Sequence, residues 1–215
     1  MNYCGFYKKV LDFTAAFFLV IFLSPIILFS VLLIKLEDPK GSPIFKQQRI
    51  GKGRKEFFVF KLRSMKVKTH DSNGTELTDN ERMLTFGSFF RKTSIDELPQ
   101  LFNIIRGEMS FIGPRPLPVI YGPYFTDKEN ERHNVLPGIS GLAQVNGRNN
   151  LNWEEKFSLD LEYVKNISFA LDFRIALSTI SKIFNRSDIV VRGELNNIDF
   201  HTYRIKQNEL NNDER

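Results

Sequence analysis

The chain has 215 residues, 42% of them hydrophobic and 26% charged, an ordinary mix that excludes a wholly disordered protein. A single cysteine, Cys4, excludes a disulfide scaffold, and three scattered histidines (His70, His133, His201) argue against a histidine-built zinc site. The net charge of +5 is unevenly placed: residues 35–68 hold eleven Lys or Arg against three acids, the remainder nineteen against twenty-two. The basic excess thus follows the most apolar stretch directly. It points to anions at a membrane surface, either lipid headgroups or a phosphorylated substrate, and the block carries no nucleic-acid-binding motif.

In chain order, the first element is apolar. Phe13 to Ile34 carries no charge, and at ~1.5 Å per residue it makes ~33 Å of helix, about one bilayer core. Lys35, Leu36, Glu37 and Asp38 follow, not the small residues of a cleavage site. Ser24 and Pro25 sit near the midpoint. Proline deletes one backbone hydrogen bond and bends the axis, and a neighbouring serine can satisfy the freed carbonyl. Lys8 and Lys9 precede the segment and the basic block follows it, so both flanks favour the cytoplasm. A re-entrant helix bent at Ser24-Pro25 satisfies both facts; a kinked spanning helix is the alternative.

Ile44–Ile50 and Phe57–Leu62 are short apolar-rich runs around Gly51-Lys52-Gly53-Arg54, which predicts a β-hairpin with a glycine turn. That turn lacks the spacing of a P-loop. Residues 69–79 read as a loop. Leu98, Leu101, Phe102 and Ile105 recur at helical spacing. Asn152 with Glu155 predicts an N-cap for a helix carrying Trp153, Phe157, Leu161 and Val164 on one face, and Ala170, Phe173, Leu177, Ile180 and Phe184 mark another. Such faces are core by default, although beside a membrane anchor some can lie in the interface. Gly113-Pro114-Arg115-Pro116 and Pro137-Gly138 read as rigid connectors.

The stretch with most chemistry is Arg91-Lys92-Thr93-Ser94-Ile95-Asp96-Glu97-Leu98-Pro99. Ser94 and Glu97 match a capping box, but Pro99 belongs in a first helical turn, which moves the expected N-cap to Asp96 or later. Asp96 would then sit among unpaired N–H groups, downstream of Arg91 and Lys92, in a place that keeps a carboxylate ionised and attracts phosphate. Read alone, Asp96 is more readily a plain helix cap. Beside the basic block it has a second reading: an ionised carboxylate can attack the phosphorus of a bound diphosphate, with Mg²⁺ bringing the two anions together.

In this order, Ser24-Pro25, the string from Pro43 to Gly51, Phe60 to Met65, Arg91 to Asn103, Gly107 to Pro116, Pro137 to Arg148 and Trp153 to Phe157 resemble the small monotopic phosphoglycosyl transferases, over roughly residues 6–185. These are bacterial enzymes that start glycan assembly on a polyprenol carrier. The resemblance implies transfer of a sugar phosphate from a UDP-sugar to polyprenol phosphate, with release of UMP. It implies Asp96 as nucleophile, carrying a covalent phospho-sugar with Mg²⁺ nearby, and Glu97 as its assistant. Arg115 would bind phosphate, with Lys61, Arg63 and Arg91 as further diphosphate partners.

It also implies a mostly helical fold with a small β-hairpin: a re-entrant membrane helix (1–36), a compact cytoplasmic catalytic domain with interfacial amphipathic helices (37–186), and a polar tail (187–215) to which nothing carries over. Membrane lipid is an expected partner. Leu142 departs from the family, where many members have Trp. The single apolar segment sets the chain apart from larger relatives with several membrane helices. Two other readings stay open: hydrolysis of a nucleotide sugar through the same Asp96, and a non-catalytic membrane-tethered scaffold in which Asp96 is only a cap.

Overall fold

A computed structural model describes residues 3, 5–70, 73–147, 151–184 and 199–213. Cys4, Arg148 and the start of the polar tail lie outside the described residues. The chain is mostly helical. Helix α1 (Phe6–Glu37) leads to strands β1 (Ile44–Ile50) and β2 (Glu56–Leu62), then to helices α2 (Asp79–Arg82), α3 (Gly87–Thr93) and α4 (Gln100–Ile105). Strand β3 (Ser110–Ile112), α5 (Asp127–Asn130), β4 (Gly138–Ser140), α6 (Leu142–Asn146), α7 (Trp153–Asn166), α8 (Phe169–Phe184) and α9 (Phe200–Asp213) complete it.

The expected hairpin forms as β1–β2, joined by a 3-10 turn over Lys52–Arg54 in which Gly53 takes φ 63°. A second sheet pairs β3 with β4 in parallel, Ser110 opposite Gly138 and Ile112 opposite Ser140. Strands of three residues are too short to show a period-2 pattern, so the sequence gives no sign of them. Close backbone approach explains a glycine here: a Cβ on Gly138 would stand 2.2 Å from the Gly113 nitrogen.

Contacts divide the chain into two compact units. One comprises Met1–Lys9, Gln48–Phe57 and Glu108–Arg215. Its aromatic core gathers Tyr121, Phe125, Phe157 and Phe200 around Ile50, and a second cluster joins Ile112, Val135, Tyr163 and Ile175. The other unit comprises Val10–Gln47 and Phe58–Gly107, with Ile34, Leu62, Leu84 and Phe90 at its centre.

Helix α7 begins with the expected capping box: the Glu155 amide donates to Asn152 Oδ1 and the Asn152 amide to Glu155 Oε2, each at 2.8 Å. Two expectations need correction. The default of a buried apolar face fails for α8, because Phe169, Phe173, Leu177 and Ile180 are 51–58% exposed while Asp172 and Ile175 face inward. The expected cap at Asp96 also fails. Helix α3 ends on Ser94 in the left-handed region (φ 58°), a 3-10 turn over Ile95–Glu97 follows, and Pro99 caps α4. A 3-10 turn begun at Ser94 leaves Asp96 inside it, and Pro99, which has no amide hydrogen, fits where no intrahelical donor is needed. Ser94 makes no side-chain cap, so the Ser94–Glu97 capping box does not form.

Candidate active site

Strand β2, helix α3 and the turn at 95–97 bring most of the expected site residues into one unit. Asp96 is buried on the turn. Its neighbour Glu97 accepts a hydrogen bond from Lys61 Nζ at 2.8 Å, both side chains being about four-fifths buried. Lys61 lies on β2, and β2 is fixed beneath α4 by Asn103, which is wholly buried. Asn103 Oδ1 accepts from the Phe60 amide at 3.1 Å, and its Nδ2 donates to the Phe58 carbonyl at 2.7 Å. One amide side chain thus sets the register between the strand carrying Lys61 and the helix that follows Asp96.

Arg91, on the last turn of α3, is exposed, and its Nε donates to Ser64 Oγ at 2.9 Å. Arg63 is turned to another task. It is buried, pairs with Asp38 through Nη1, and donates from Nη2 to the Asp38 carbonyl at 2.8 Å. The Val67 amide donates to the same Asp38 carboxylate at 3.0 Å. That amide bond first, and the Arg63 guanidinium with it, hold the Asp38 carboxyl below the usual range against the opposing effect of burial. Arg63 therefore braces the chain after α1.

Arg115 lies in the other unit, in the Gly-Pro-Arg-Pro connector, with its side chain exposed. The Arg115 carbonyl accepts a hydrogen bond from Arg132 Nη2 at 2.7 Å. Arg132 is buried and ion-paired with Asp160 of α7. Neither residue stands out in the sequence, being 17 and 45 positions beyond Arg115.

Ser24 and Pro25 lie within α1, which runs through them unbroken. Pro25 has no amide hydrogen for the Ile21 carbonyl four residues back, and Ser24 Oγ donates to that same carbonyl at 2.8 Å.

Among the described residues, no group of three or more His, Cys, Asp or Glu side chains forms a ready-made cage. A hard divalent cation such as Mg²⁺ is commonly held by one or two carboxylates together with substrate phosphates. Adjacent Asp96 and Glu97 carboxylates on one short turn fit that kind of site. Chemically, the turn offers a buried carboxylate and, beside it, a second carboxylate held by the Lys61 cation. It is suited to a phosphate ester or diphosphate.

The model of the bacterial sugar transferase family matches residues 3–186. EpsL of Bacillus subtilis (strain 168), described as an uncharacterized sugar transferase, is 48% identical over 177 residues, 82% of this chain and 86% of the relative. The UDP-glucose:undecaprenyl-phosphate glucose-1-phosphate transferase of Escherichia coli (strain K12) is 38% identical over 191 residues, 82% of this chain. A UDP-N-acetylgalactosamine-undecaprenyl-phosphate N-acetylgalactosaminephosphotransferase of Aeromonas hydrophila is 39% identical over 187 residues, 83% of this chain. The matches span 40% and 44% of the lengths of these last two relatives. With the family model covering more than four-fifths of its residues, the chain belongs to the bacterial sugar transferase family.

Proposed function

We propose that this protein is a phosphoglycosyl transferase that moves a sugar phosphate from a UDP-sugar to undecaprenyl phosphate at the cytoplasmic face of a bacterial membrane. The observation that carries the reading is the buried Asp96 beside a Lys61-held Glu97 in a basic setting. Membership of the sugar transferase family and the relatives named for undecaprenyl-phosphate transfer support it.

In the first step an Asp96 carboxylate oxygen attacks the sugar-bearing phosphorus. The Asp96–phosphorus bond forms as the bridging phosphoanhydride bond breaks, and UMP leaves with the bridging oxygen and its electron pair. In the second, a phosphate oxygen of the polyprenol carrier attacks the same phosphorus and restores the Asp96 carboxylate. Neither step needs a proton removed from the nucleophile, because both nucleophiles are anions. Burial of Asp96 lowers the cost of bringing it out of water to phosphorus, and Lys61 orients Glu97 beside it. Asp96 would hold Mg²⁺, which would supply charge neutralisation for the diphosphate. Arg91 contributes a cation to the phosphates, and Arg115 is assigned a phosphate-binding role of its own.

The membrane arrangement we favour is re-entrant. At its start, Lys8 pairs with Asp172 at 2.5 Å; at its end, Glu37 accepts from the Thr85 amide at 3.0 Å and from Thr85 Oγ1 at 3.1 Å. Basic residues flank the apolar run on both sides, which supports placing both ends of α1 on one side of the bilayer. The exposed apolar face of α8 suits the interface of the same leaflet.

The test is UMP release by detergent-solubilised protein with Mg²⁺ and a panel of UDP-sugars, with and without undecaprenyl phosphate. Acceptor-dependent release with one sugar is expected, and Asp96→Asn should abolish it while the protein stays folded by circular dichroism. Release without acceptor would make the protein a hydrolase. Full activity in Asp96→Asn would remove the covalent mechanism.

A further inference from the structure

The Gly113-Pro114-Arg115-Pro116 connector is held unusually well for a loop. The Pro114 carbonyl accepts from the Gly138 amide at 3.0 Å and the Leu117 carbonyl from the Ile50 amide at 3.0 Å. The Pro116 carbonyl accepts from Arg49 Nη1 at 3.3 Å. Flanking prolines restrict the backbone on both sides of Arg115. Its own carbonyl is bound by a buried cation: Arg132, 3% exposed, donates to it from Nη2 at 2.7 Å. The same guanidinium donates to Asp160 Oδ2 from Nε at 3.0 Å and from Nη2 at 2.7 Å, and lies over the rings of Phe125 and Phe157 at 5.9 and 5.7 Å.

Burying two charges is a costly way to stabilise a fold, since well-packed apolar residues of similar volume usually serve as well or better. What the ion pair provides here, and apolar residues could not, is a fixed donor for one loop carbonyl. The only side chain that loop presents to solvent between its prolines is Arg115.

We infer that Arg132 and Asp160 are positioning residues that hold the backbone of Arg115, so that its guanidinium meets the donor diphosphate in one orientation. This rests on the phosphate-binding role proposed above for Arg115. A fixed arginine loses little freedom on binding an anion, so the contribution belongs to donor affinity in ground and transition states alike. Loss of the brace should therefore raise KM for the donor and leave kcat nearly unchanged.

The experiment replaces both charges together, Arg132→Met with Asp160→Leu, which avoids leaving one buried charge unpaired. Arg115→Ala is measured beside it, in the acceptor-dependent assay with the UDP-sugar that the panel identifies. The double variant should unfold at or above the wild-type temperature yet show a donor KM about tenfold higher with kcat within about twofold, the scale of one charge-assisted hydrogen bond. A folded double variant with wild-type KM, while Arg115→Ala is impaired, overturns the positioning role alone. Wild-type KM in Arg115→Ala overturns the phosphate-binding reading and the inference with it. Should the double variant not fold, Arg132→Lys keeps the charge opposite Asp160 but lacks the fork that reaches both partners. It should show the same rise in KM, and a wild-type KM there overturns the inference.

Discussion

Asp96 and Glu97 are adjacent in sequence yet meet different surroundings. Asp96 is buried within its 3-10 turn, whereas Glu97 is held by Lys61 from β2. Two carboxylates adjacent on one turn can serve different roles where their environments differ. His133 shows the same dependence on surroundings. It is buried against Phe125, and burial first, with the Arg132 charge beside it, pushes its imidazole down from 6.5 to about 4. Between those values the unfolded chain binds a proton that the folded chain excludes, so stability falls as pH drops through that window and levels off below it. Unfolding of the solubilised protein by urea at stepped pH should show this fall, and His133→Phe should flatten part of it.

At the scale of elements, α1 is held at its polar ends. Lys8 reads from the sequence as a membrane-flanking charge, but the fold buries it against Asp172 of α8, and the Tyr3 hydroxyl donates to the same carboxylate at 2.7 Å. Tyr163 Oη stands 2.7 Å from the other Asp172 oxygen. Removing one partner strands the rest in a buried site, so Asp172→Ala should cost about 3–5 kcal/mol in unfolding free energy. The exchange Lys8→Asp with Asp172→Lys should recover part of that loss. Thermal unfolding in detergent measures both. The pair also explains why α8 turns its apolar stripe outward: Asp172 and Ile175 commit the opposite face to the interior.

For the molecule as a whole, the family match ends at residue 186, yet helix α9 lies beyond it and completes a core. Phe200 is fully buried among Tyr121, Phe125, Trp153 and Phe157, and Tyr121 Oη donates to Asp199 at 3.0 Å. The tail that reads as polar and without motif thus has a structural part at Asp199 and Phe200. Phe200→Ala should cost about 3–5 kcal/mol, the range for a large aromatic side chain removed from a packed core. Denaturant titration of the solubilised protein measures it.

The sequence by itself determined the parts governed by local rules. The apolar run of α1 needs only hydropathy, the Ser24 bond to the Ile21 carbonyl follows from the missing proline hydrogen, and the Asn152–Glu155 box starts α7 where the spacing says it should. The motif strings also sufficed for the family. Tertiary structure decided what depends on residues distant in the chain. The pairing of Arg63 with Asp38 is announced by no local pattern, and α8 reads as core until Asp172 fixes which face turns inward. Asn103, Arg132 and Asp160 act on partners up to 45 positions away. Buried polar groups must find partners wherever the chain brings them, and no local period records that pairing.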